Sequence, residues 1–165
     1  MDSPGLPRSV PLRSPTTIQS DTPKDPVFAF FTEATPVRVW HALTDPAQTR
    51  IYLEGMALQS DWVAGSAIVA PFSGEPTVLG EVLCVEARHR LSYVIRPPAA
   101  SAVYLTWLLR HQVDGCICKL QIDEADTSDI VELEDVWLPI LAELQRSVDA
   151  LPDQRWRSDK PETVI

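Results

Sequence analysis

The stretch VYLTWLLRHQVDGCICKLQID, residues 103–123, carries a period of two on both sides of an Asp-Gly pair. Val103, Leu105, Trp107 and Leu109 alternate with Tyr104, Thr106 and Arg110, and Cys116, Cys118, Leu120 and Ile122 alternate with Lys119, Gln121 and Asp123. In a pleated strand successive side chains point to opposite faces, so this alternation buries one face and leaves the other wet. Asp114-Gly115 suits a two-residue primed turn between the two runs. The stretch predicts an antiparallel hairpin lying on a core.

Upstream, segments 58–63, 66–72, 77–86 and 90–96 are rich in Val, Leu, Ile and aromatics, separated by turn residues such as Ala64-Gly65, Ser73-Gly74 and Arg96-Pro97-Pro98. They extend the hairpin into an antiparallel meander. Earlier still, the aromatic-rich run Pro26 to Phe31 reads as a first strand. Two short helices follow it. Thr35-Pro36 supplies an N-cap and a Pro whose missing N–H is harmless at the first helical position. Thr44-Asp45-Pro46 restarts the chain in the same way, and the second helix is expected from Pro46 to about Leu53, before Gly55.

Downstream of the hairpin the period becomes helical. Leu133, Val136, Trp137, Ile140, Leu141, Leu144, Val148 and Leu151 recur at three-and-four spacing, the stripe of an amphipathic helix laid on a sheet. Pro139 implies either that the regular helix begins near Val136 or that it is kinked there. The expected class is α+β, in the order β-α-α, five or six antiparallel strands, and one long C-terminal helix.

The chain has 165 residues, 14 Lys+Arg, 23 Asp+Glu and a net charge of -9. Pro4, Pro7, Pro11, Pro15 and Pro23 stand among Ser, Thr and Asp, so residues 1–25 read as a flexible arm and 152–165 as a tail. The remaining unit, 26–151, holds eight basic and 17 acidic residues, nine of the acids within 123–149. Acidity of this kind excludes a general nucleic-acid binder, whose affinity rests on Lys and Arg. No run reaches the ~18 apolar residues of a membrane span, and 1–25 lacks the apolar core of roughly 7 to 15 residues of a signal peptide, so a cytoplasmic location is expected.

The element order is that of the helix-grip arrangement of the START-like superfamily, which includes the polyketide cyclases. Ala34-Thr35-Pro36 with Val39-Trp40 and Ala42-Leu43-Thr44-Asp45-Pro46 resembles the opening of the family named for the activator of the ninety-kilodalton heat-shock chaperone's ATPase. Trp62, Gly65-Ser66, Gly80-Glu81-Val82, Glu86 and Arg90-Leu91-Ser92-Tyr93 are similar to its middle, and Trp137 with the following stripe to its last helix. The resemblance covers about 26–151. It implies a curved sheet around the C-terminal helix, with a cavity between them. Where members commonly carry a Trp pair after the Asp-Pro helix, this chain has Ile51-Tyr52, so their ligand preference does not transfer.

Catalytic chemistry finds few carriers in the sequence. His41, His89 and His111 belong to no nucleophile elbow, zinc set or H-E-x-x-H, and the six Gly form no phosphate loop. Cys84, Cys116 and Cys118 read as small buried hydrophobes. No catalytic residue, metal or cofactor is assigned. The candidate cavity lining is Tyr52, Trp62, Ile68, Phe72, Leu83, Tyr93, Trp107, Trp137, Ile140 and Leu144, with Tyr104 as the alternative to Trp107; ordinary core packing is the competing reading for each. Polar groups that could converge on the cavity are Tyr52, Glu54, Asp61, Glu81, Tyr93, Arg96, Arg110 and His111. The leading expectation is binding of a small hydrophobic or amphipathic molecule. The alternatives are a polyketide cyclase or dehydratase-like enzyme using acid-base groups in the cavity, and a co-chaperone-like interaction domain. The acidic stretch 123–149 is either a solvated helix face or a surface for a basic protein partner. Either a monomer or a homodimer fits.

Overall fold

The computed structural model describes residues 14–18, 26–72, 74–96, 101–124 and 130–150. Its strands are β1 (Thr16–Ile18), β2 (Val27–Thr32), β3 (Ala67–Phe72), β4 (Glu75–Glu86), β5 (Arg90–Ile95), β6 (Val103–Gln112) and β7 (Gly115–Glu124). Its helices are α1 (Pro36–Thr44), α2 (Pro46–Tyr52) and α3 (Ile130–Asp149). The described strands form one antiparallel sheet in the order β1-β2-β7-β6-β5-β4-β3, curved around α3 in a helix grip. The tail 152–165 and Leu151 lie outside the described residues, as does the arm apart from 14–18. Within that piece Thr16–Ile18 is a strand, paired with Val27–Ala29 on the free edge of β2.

Both short helices start as their sequence dictates. The Thr35 Oγ1 accepts from Arg38 N at 3.2 Å, and the Asp45 carboxylate accepts from Ala47 N at 2.9 Å, with a Pro in the first turn of each helix. These caps satisfy amides that have no partner inside the helix. Thr35→Ala is expected to lower stability by about 1 kcal/mol, measured as the urea midpoint at constant slope; an unchanged midpoint would show that the cap is replaced by solvent.

The hairpin of β6 and β7 forms, but one residue out of the expected place. Gln112 pairs with Gly115, so Val113 and Asp114 make the turn and Gly115 already belongs to β7. Glycine is required there for another reason. A Cβ at Gly115 would stand 2.0 Å from the carbonyl oxygen of Thr32.

α3 runs unbroken from Ile130 through Pro139, which rules out a helix starting at Val136. Pro139 and Asp135, whose carbonyl loses its usual donor, are both exposed. Leu133, Trp137, Ile140, Leu141, Leu144 and Val148 are buried, whereas Val136 is 52% exposed and outside the stripe. The helix is tied at both ends. The Thr17 hydroxyl donates to Glu134 at 2.6 Å, while the buried Arg38 donates through Nη2 to the Val148 carbonyl at 2.6 Å. Gln145 donates to Phe31 O at 2.9 Å, and the Thr32 hydroxyl donates to Asp149. A guanidinium against the last carbonyls also complements the helix dipole.

Candidate functional site

The concave side of the sheet is built by alternation. Leu91, Tyr93 and Ile95 of β5 stand opposite Trp107, Leu105 and Val103 of β6, and Trp107 in turn stands opposite Leu120 of β7. Tyr93, Trp107 and Leu120 are fully buried. At the centre the Trp107 Nε1–H donates to the Tyr93 hydroxyl oxygen at 3.0 Å. Tyr52, the last residue of α2, meets Trp107 edge-on with ring centroids 6.4 Å apart, and its hydroxyl donates to Ala42 O at 3.0 Å. Trp62 lies on the other side, 5.9 Å from the Tyr93 ring and tilted by 59°. Edge-on and tilted pairs at these separations are favourable for the aromatic quadrupole.

Thus Tyr52, Trp107, Tyr93 and Trp62 form one chain of contacting rings, joined in the same apolar cluster by Ile68, Trp137, Ile140 and Leu144. Tyr104 is 39% exposed and stands on the opposite face. Two candidates are placed otherwise. The side chain of Phe72 lies outside the described residues. Leu83 is 44% exposed and does not line the interior. Strict alternation would align it with Val85, which packs on the core, but the register shifts between Val82 and Cys84, so Val82 points inward and Leu83 outward. A bulge inserts one residue and reverses the faces beyond it.

The polar candidates divide sharply. Glu54, Asp61, Glu81, Arg96, Arg110 and His111 are all exposed; Tyr52 and Tyr93 are the two that reach the interior. Burial pushes the Tyr93 hydroxyl up to about 12 and holds that of Tyr52 well above the ordinary tyrosine value. Behind them Cys118 is raised by burial, and Cys116 is pushed up to about 11 for the same reason. The three cysteines are free thiols. Among the described residues no group of three or more His, Cys, Asp or Glu is placed to hold a metal ion. Nor is any described helix long and apolar enough to cross a membrane.

These raised values fix a pH dependence. Each group keeps its proton longer in the folded chain than in the unfolded one, so its contribution is complete below the unfolded value and is lost as pH rises through the folded one. The window opens at 9.0 for the Cys116 thiol and at 10.0 for Tyr93, and closes near 11 and 12. The urea midpoint is expected to be flat around neutrality and to fall steadily above pH 9. The Tyr93 part alone amounts to roughly 2–3 kcal/mol. A midpoint unchanged between neutral pH and pH 11 would contradict this.

Sequence reading missed two features. An open cleft of 370 Å³ lies at the β3–β4 end of the sheet, lined by Gly65, Ala67, Val78, Leu79, Gly80, Glu81 and Arg96. Glu81 and Arg96 face this cleft rather than the interior, and no residue of α3 lines it. The second is the backbone at Trp62, whose φ of +56° lies in the left-handed region that a bulky residue seldom occupies. The loop around it is fastened: Gly65 N donates to Val82 O at 2.8 Å, Val82 N to Ser66 O at 2.9 Å, and the Ser60 and Ser66 hydroxyls are 3.0 Å apart.

Comparison with known proteins agrees with this architecture. A protein from Rhodobacter sphaeroides of known structure is similar over 84% of this chain and 100% of its own, with a TM-score of 0.65 and 22% identity. CalU16 from Micromonospora echinospora is similar over 87% of this chain and 89% of its own, with a TM-score of 0.61 and 17% identity. DynU16, described as a protein of the dynemicin biosynthetic locus, is similar over 74% of this chain and 46% of its own, with a TM-score of 0.59 and 20% identity. At such identities the likeness is one of fold. No curated protein matches the sequence significantly. The family described as Activator of Hsp90 ATPase homolog 1-like protein matches residues 33–149, from the turn before α1 to the end of α3. With most of the chain covered and the helix grip in place, the protein belongs to that family.

Proposed function

We propose that this domain binds a small hydrophobic or amphipathic molecule between the curved sheet and α3. The observation that carries the reading is the aromatic chain Tyr52, Trp107, Tyr93 and Trp62, which sets hydroxyl and indole groups inside an otherwise apolar interior. A few polar groups on an apolar wall are the usual form of a small-molecule site. Tyr52, Tyr93 and Trp107 are closed off from solvent, whereas Trp62 is only partly buried. A ligand would therefore enter beside the Trp62 loop. Occurrence of DynU16 in a biosynthetic locus is in keeping with a small organic ligand.

Acid-base catalysis of the cyclase or dehydratase kind has less support. The carboxylates and the histidine named for it are at the surface, and the interior hydroxyls are held protonated. Such groups orient a ligand by donating hydrogen bonds better than they remove a proton. Native mass spectrometry against a panel of lipids and metabolites tests the reading. A saturable one-to-one complex with an apolar or amphipathic member is expected; no complex with any member would count against it.

A further inference from the structure

Two donors of the aromatic cluster, the Trp62 Nε1–H and the Tyr93 O–H, meet no acceptor among the described residues. The Trp62 Nε1 is buried and has no partner among the described residues. The Tyr93 oxygen accepts from Trp107, but among the described residues its own O–H donates to nothing, although the side chain is fully buried. Each buried donor left unmade costs on the order of 1–3 kcal/mol, so native interiors seldom retain them without a use. The two belong to one packed pair, with ring centroids 5.9 Å apart. They do not satisfy each other: the Trp62 Nε1–H does not donate to Tyr93 as that of Trp107 does, and an indole N–H offers no lone pair to the Tyr93 O–H. Trp62 is held in this position by a left-handed backbone, and its loop is fastened to β4 through Gly65 and Ser66. Strain of that kind persists where the surroundings impose it, and it clusters at ligand sites.

We infer that Trp62 Nε1–H and Tyr93 O–H together receive an uncharged acceptor oxygen, a ketone, ester or amide carbonyl, on an apolar ligand. The assignment rests on the binding reading given above and narrows its ligand class. A cationic head would meet two donors and be rejected. A carboxylate would give up its hydration for only two neutral donors. A neutral carbonyl presents two lone pairs and little desolvation cost.

A matched pair of probes isolates the oxygen: 2-acetonaphthone and 2-ethylnaphthalene have nearly the same shape and differ in the carbonyl. Titration of the full chain, followed by calorimetry, is expected to give about tenfold tighter binding of the ketone. That preference should fall to about twofold in Trp62→Phe, which keeps a ring and loses the N–H, and likewise in Tyr93→Phe. An infrared spectrum of the wild-type complex requires no variant, and the bound carbonyl stretch should lie at lower wavenumber than in an apolar solvent. Equal affinity for the two probes, or a preference that survives both substitutions, would overturn the acceptor assignment and leave apolar binding intact. Binding of neither probe would remove both readings.

Discussion

Trp107→Ala is expected to lower stability by about 4–8 kcal/mol, bringing the domain close to unfolding. Trp107 is fully buried, stands opposite Leu91 on one side and Leu120 on the other, meets Tyr52 edge-on and donates to Tyr93. Truncating a buried Trp costs about 3–5 kcal/mol from lost transfer energy and the cavity left behind. Removing the N–H also strips the fully buried Tyr93 oxygen of its donor, which adds roughly 1–3 kcal/mol. Domains of this size have only about 5–15 kcal/mol to lose. Trp107→Phe keeps a ring and should cost less than half as much. Urea titrations of both variants check this, and an alanine variant within 1 kcal/mol of the wild type would mean that this interior is loosely packed.

Gly80→Ala should be the most damaging single-methyl addition in the sheet, at about 3 kcal/mol. A Cβ there would stand 1.8 Å from Val94 O, 2.9 Å from Val94 C and 3.2 Å from Ile95 Cα, all of them backbone atoms of β5. No rotamer change relieves such a contact. β4 would have to part from β5 at the Gly80–Ile95 pair, beside the register shift between Val82 and Cys84. Glu81→Ala, at an exposed neighbouring position, is the control and should stay within about 0.5 kcal/mol of the wild type. Equal stability of the Gly80 and Glu81 variants would refute the close-approach argument.

These two residues also mark how far the sequence could be read. Trp107 was legible: with Leu105 and Leu109 it alternates with Tyr104, Thr106 and Arg110, which sets its face by the period of a strand. The caps at Thr35 and Asp45 and the stripe along α3 were legible for the same reason, since local chemistry and period coincide. Gly80 stood out only as part of a family-like motif, because the need for it comes from a carbonyl on a strand 14 residues away in Val94. Leu83 was misplaced because a bulge leaves no mark in an alternating run. Segment 58–63 has the composition of a strand, yet it contributes one bridge, Gln59 to Val69. There Leu58 N donates to Thr49 Oγ1 and Trp62 N to Ser60 Oγ, so side chains of α2 and of the loop itself take bonds that a sheet partner would supply. Thr16–Ile18 is too short to show a period, and its strand state depends on the vacant edge of β2. The aromatic members of the site were thus visible as core residues. The Trp107–Tyr93 hydrogen bond, and the absence of an acceptor for Trp62 among the described residues, are properties of tertiary contact alone.

The most direct measurement is a nitrogen–proton correlation spectrum of the labelled full chain titrated with 2-acetonaphthone. Saturable movement of the Trp62 and Trp107 indole signals, together with the Tyr93 amide, is the expected result. Movement confined to Val78, Gly80 and Arg96 would place the probe in the open cleft at the β3–β4 end of the sheet, and would contradict a ligand site between the sheet and α3.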